Sequence, residues 1–178
     1  MLVRDTRPAL EMADAAIAMG EETTFFWALL AARIVKGCAV QATNPSDMDQ
    51  VREAIKVLSE SGGRAGLGLT FFLATLAEAY GRAERIEEGL KTAADGLQLV
   101  QQSGERSWEA ELYRVRGELL LKGDPSDPAK ARAALESAIE IAREQGAKSF
   151  ELRATTSLAR LLDGQSERTE ARAMLADI

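Results

Sequence analysis

A small residue recurs on one helical face about every 40 positions, and this period constrains the fold of the 178-residue chain more than any other feature. Gly37, Ala77, Gly117 and Ala159 are spaced by 40, 40 and 42 residues. A second series, Ala9, Ala54, Gly89, Ala131 and Ala171, has spacings of 45, 35, 42 and 40. Both series lie in stretches whose apolar residues fall three, four and seven apart, the return distances of a 3.6-residue helix. Two interleaved series with one period describe a repeated pair of helices, each pair burying its faces only against its neighbours. Glycine inside a helix costs about 1 kcal/mol relative to alanine, so Gly117 within ELYRVRGELLL implies a backbone passing close by.

The clearest unit is residues 111–142, two helices joined by a polar turn. Tyr113, Arg116, Gly117 and Leu120 share a face of the first helix; Ala131, Leu135 and Ala138 stripe the second. Asp127 followed by Pro128 is a start signal, an acid able to cap free amides and a proline suited to the first turn. Further helices are expected over 8–19, 23–42, 49–61, 67–82, 85–102, 148–162 and 167–178. The first reads as the second half of a hairpin whose partner would precede Met1, so the chain is expected to belong to a larger protein. Residues 1–178 are read as one all-α domain of about four hairpins plus that unpaired helix.

Composition narrows the function. A net charge of −6 and a pI near 4.9 disfavour nucleic acid as a partner, because phosphate binding needs a basic face. The most apolar run, residues 25–35, is interrupted by Arg33 and is shorter than the roughly 20 residues a membrane span needs. With no secretion signal and one cysteine, Cys38, the expected compartment is cytoplasmic, with neither membrane nor nucleic acid as partner.

The 76–97 stretch, LAEAYGRAERIEEGLKTAADGL, resembles a tetratricopeptide repeat: a small residue, an aromatic three later, then small residues along the second helix. Residues 111–142 and 151–178 resemble it with Leu120 and Leu162 in the aromatic position; residues 33–61 depart most, with Arg33 and Lys36 at apolar positions. More specifically, TFFLATLAEAYGRAERIEEGL, WEAELYRVRGELLL and IAREQGAKSFELRATTSLARLL are similar to the C-terminal repeat region of large bacterial signalling proteins. Those join a class III adenylate or guanylate cyclase domain, or a transcriptional-activator domain, to an ATPase module. The resemblance implies a right-handed α-α superhelix and a protein-interaction or sensing module. It carries over no catalytic residue; any catalytic domain would lie upstream.

Candidate chemical sites do not gather. Without histidine there is no usual general base or zinc ligand, and Cys38 lacks the partner that activates a thiol. Gly62, Gly63, Gly66 and Gly68 follow a helix and lack the Lys-Ser or Lys-Thr of a phosphate loop, so they read as a helix stop. Glu87-Glu88 and Glu109 with Glu111 read as a solvated face, and Trp27, Trp108, Phe150, Phe71, Phe72 and Tyr80 mainly as packing. No enzyme activity, cofactor or metal is expected.

The remaining candidates lie on the concave face that first helices line in tetratricopeptide-like stacks: Phe71, Glu78, Arg82, Glu111, Arg114, Glu118, Arg153 and Arg160. This mixed strip suits a peptide or a charged helix, supplied by another protein or by another domain of the same polypeptide. The competing reading makes Glu78 with Arg82 and Arg114 with Glu118 ordinary helix pairs. Homodimerisation through uncapped ends and a small-molecule pocket remain the alternatives.

Overall fold

The computed structural model describes residues 68–164 throughout and, ahead of them, helical residues 11–12, 14–19, 36, 51–53 and 55–56. Five helices follow one another: α1 (Leu69–Arg82), α2 (Ile86–Ser103), α3 (Glu109–Gly123), α4 (Pro128–Glu144) and α5 (Lys148–Gly164). The described residues are all-α. The expected helices over 23–42 (apart from Lys36) and 167–178, together with Trp27, Gly37, Cys38, Gly62, Gly63 and Gly66, lie outside the described residues.

Short connections make successive helices antiparallel. Helix α2 ends where Gly104 turns left-handed at φ 73° and its N–H reaches the Val100 carbonyl at 2.9 Å. Pro128 opens α4 in the expected place, but Asp127 does not cap it: its carboxylate lies 3.5 Å from Lys130, with no bond to the helix amides. The turn is instead closed by Asp124, whose Oδ1 accepts from the backbone N–H and the hydroxyl of Ser126 at 3.0 and 2.6 Å.

The core is a series of plates between neighbouring helices. Val51 and Ile55 pack on Leu69, Leu76 and Tyr80; Ala74, Leu97, Val100 and Leu112 form the next plate, and Ala77, Ala93, Val115 and Leu119 continue it. Ala131, Leu135, Ala138, Leu158 and Leu162 form the last. The glycine expectation holds at its strictest point, for a Cβ added at Gly117 would lie 2.7 Å from Leu135 Cγ and 3.1 Å from the Ala131 carbonyl oxygen. One facing differs from the pattern read in the sequence: Arg116 is exposed, and Leu112, Val115 and Leu119 are the buried stripe of α3, with Tyr113 and Leu120 on its flank.

The first helices of successive hairpins touch, α1 against α3 and α3 against α5, whereas α2 and α4 stay apart. One side of the described stack is therefore a continuous surface of first helices. Among the described residues no helix is long and apolar enough to cross a membrane.

Candidate interaction face of the first helices

Two rows of side chains cross this surface. The upper row is aromatic. Phe71 of α1, Trp108 at the N-terminal boundary of α3 and Phe150 in the first turn of α5 stand ring against ring, with centroids 4.7 and 5.1 Å apart and planes tilted by 53° and 56°. Tilted pairs at such distances satisfy the ring quadrupoles and add about 0.5–1.5 kcal/mol each beyond area burial. Phe72 extends the row at 5.2 Å from Phe71. All of these rings are half-buried, so each keeps part of its surface open to a partner.

The row is pinned by the loop before α3. Thr70 donates its hydroxyl to the Glu105 carboxylate at 2.8 Å, holding that loop against α1. Gln145 donates to the Arg106 carbonyl at 2.8 Å, holding it against the α4–α5 turn. Trp108 is thereby fixed from both sides.

The lower row is ionic and centres on Arg114, 4 % exposed. It donates to both oxygens of Glu111 at 2.9 and 2.7 Å, and its other terminal nitrogen lies 2.6 Å from Glu118. Across the helix boundary it lies 3.6 Å from Glu78 of α1. On the other side Arg153 of α5 comes to 2.7 Å from Glu111 and 3.9 Å from Glu78, and Ser157 donates to Glu118 at 2.6 Å. The Arg114 guanidinium thus joins α3 to α1, and Arg153 and Ser157 bring α5 onto the same carboxylates; its forked contact with Glu111 is one that a lysine would not reproduce.

Arg114 and Glu118 hold each other ionised. Burial disfavours the Arg114 cation, but the hydrogen bond and charge of Glu111, followed by the charges of Glu118 and Glu78, outweigh it and raise its pKa. Burial likewise pushes Glu118 upward, and Arg114 with the Ser157 hydroxyl and the more distant Arg160 reverse this, leaving its carboxyl below the ordinary range. A carboxyl depressed in the folded state contributes stability that is complete above the unfolded value of about 4.3 and is lost as pH falls through the folded value. Urea titrations from about pH 6 down to about pH 3 should show a falling midpoint. Glu118→Gln should flatten part of that fall; an identical slope in the variant would contradict the assignment.

The eight residues expected on this face divide by exposure. Glu111 and Arg114 are buried; Phe71, Glu78, Glu118 and Arg153 are half-buried; Arg82 and Arg160 are exposed. Arg82 lies 3.6 Å from Glu78, and the electrostatic influence of Arg160 reaches Glu118. The pairs four residues apart are present, but the contacts between helices outnumber them. Trp108, Phe150 and Ser157 belong to the same surface. The signal for the two rings was their shared position, nine residues before Gly117 and Ala159; Ser157 carried none.

Glu151 forms a separate knot at the start of α5, its buried carboxylate 2.7 Å from Arg143 and 2.9 Å from Lys148. The hydrogen bonds of Arg143 and then Lys148 hold its carboxyl below the usual range. Among the described residues no group of acidic, cysteine or histidine side chains is arranged to hold a metal ion. No protein-family model and no curated protein matches the chain.

Proposed function

We propose that the chain is a tetratricopeptide-like, right-handed stack of helical hairpins that holds a peptide or protein on the face of its first helices. Its place would be the partner-binding or sensing end of a bacterial signalling regulator of the cyclase-like or transcriptional kind. The curved arrangement is supported by the packing: first helices in mutual contact with second helices apart are what the inner side of a bent stack requires. The signalling context is supported by the resemblance of residues 67–162.

The observation that carries the binding reading is the half-open aromatic row of Phe71, Trp108 and Phe150 running beside charged groups at the same level of three helices. Rigid aromatic rings with exposed surface are the usual anchors of an interface, and neighbouring charges select the partner. Around Arg114 three carboxylates, Glu78, Glu111 and Glu118, meet four guanidiniums, those of Arg82, Arg114, Arg153 and Arg160. The exposed charges of this cluster are the cations Arg82 and Arg160, which favours an acidic peptide carrying an apolar anchor.

Selection of a random peptide library on the whole chain tests this. The peptides recovered should combine acidic and aromatic or aliphatic residues, and Trp108→Ala and Arg160→Glu should each weaken them by about tenfold or more. Peptides that bind both folded variants as well as the parent would sink the reading.

A further inference from the structure

On the opposite side of α1 a cleft of about 390 Å³ opens between Arg52, Ile55 and Lys56 and helices α1 and α2. Its floor is aliphatic, made by Ile55, Leu69, Leu73, Leu76 and Leu99. Ile55, Leu69 and Leu76 belong to the core plate beneath, while Leu73 and Leu99 remain half-buried in the cleft. Three cations line it as well, Arg52, Lys56 and Lys91, against one carboxylate, Asp95. Leu73 and Phe71 point about 200° apart around α1, so the cleft and the row of Phe71, Trp108 and Phe150 open on different sides of that helix, with Phe72 between them.

The repeat itself does not call for this floor. One period later, the positions of Leu69, Leu73 and Leu76 are occupied in α3 by Glu109, Tyr113 and Arg116. Arg116 is exposed where Leu76 is 2 % exposed. The same place in the next hairpin therefore carries polar side chains in place of two of the three leucines. The Arg52 guanidinium carbon lies 5.3 Å from the Tyr80 ring centre, and Lys56 keeps 3.9 Å from the exposed Glu53.

We propose that this cleft binds a small amphiphilic anion, a carboxylate with a medium-length aliphatic tail. The tail lies on Leu73 and Leu99 and the headgroup meets Lys91, Lys56 and Arg52. The volume is in the range of small-molecule sites, and an apolar floor with a few convergent polar groups is their usual construction. Charge complementarity selects an anion over a neutral or cationic amphiphile.

Calorimetric titration of the whole chain with decanoate, decanol and decyltrimethylammonium tests it. Decanoate is expected to bind with a Kd below about 100 µM, at least tenfold more tightly than decanol, with no binding of the cation. Lys91→Glu lies on the exposed surface and leaves the core untouched; it should remove the preference for decanoate over decanol. Leu73→Glu should abolish both; because Leu73 also packs on two core plates, retained peptide binding on the first-helix face reports that the variant keeps its fold. Absence of decanoate binding, equal binding of all three probes, or binding that survives both substitutions overturns the proposal. Vesicles of anionic lipid should not compete with decanoate; competition would move the site from a soluble ligand to a membrane surface and overturn it in this form. Peptides selected on the first-helix face should still bind the Leu73→Glu variant, so failure of either site leaves the other standing.

Discussion

Arg114→Met is expected to lower the unfolding free energy by about 3–5 kcal/mol, the usual cost of removing one partner from a buried ion pair. The substitution keeps much of the apolar volume and deletes the charge that Glu111 and Glu118 face at 2.7 and 2.6 Å. Glu111, 3 % exposed, would retain only Arg153, which is itself half in solvent. Urea unfolding followed by circular dichroism measures the loss. Arg82→Ala is the contrast: its guanidinium is exposed and 3.6 Å from Glu78, a surface pair worth about 0–1 kcal/mol. Equal costs for the two substitutions would mean that the Arg114 cluster does not tie the helices together. The double substitution Arg114→Met with Glu111→Leu should recover much of the loss, because it removes the stranded carboxylate along with its partner.

Gly117→Val should cost about 3 kcal/mol, at the upper end of overpacking effects. The obstacle is rigid: Leu135, 1 % exposed, meets the added Cβ at its branch point, and behind it lies the Ala131 backbone oxygen at 3.1 Å. Gly81→Ala provides the comparison. The nearest atom to its Cβ, at 2.7 Å, is the terminal Cδ2 of Leu119, so only one methyl has to give, and the branch carbon is 3.7 Å away. Alanine also gains about 1 kcal/mol of helix preference over glycine, so this variant should lie within about 1 kcal/mol of the parent. Thermal and urea unfolding of the pair would decide whether the α3–α4 contact is as close as drawn.

The same glycine explains why the fold was legible. A helix crossing at backbone contact admits only hydrogen or methyl at the crossing point, so the period is written in residue type: Ala77, Gly117 and Ala159 in first helices, Gly89 and Ala131 in second. Helix ends were less legible where several residues compete for one role. Asp124 and Asp127 flank the same turn, and Asp124 closes it because its carboxylate accepts from both the amide and the hydroxyl of Ser126.

The interaction face was legible as a set of residues but not as a network. Local spacing shows Arg114 beside Glu111 and Glu118, whereas Arg153 and Ser157, which bind those two carboxylates, arrive from the next hairpin. Glu111 and Arg114 are therefore parts of the scaffold, and the open groups are the rings together with Arg82 and Arg160. The cleft on the other side of α1 had a sequence signal of another kind: three leucines at positions where the following repeat has Glu109, Tyr113 and Arg116. Only comparison of repeat against repeat makes such a substitution visible.

The most direct test of the interaction face is the footprint of a selected peptide on the isotope-labelled chain, followed by side-chain and amide chemical shifts. Perturbations should concentrate at the Trp108 indole, the Phe71 and Phe150 rings and the Arg82 and Arg160 side chains, and be absent from the exposed surfaces of α2 and α4. A footprint on α2 and α4, with the three rings unmoved, would contradict the account.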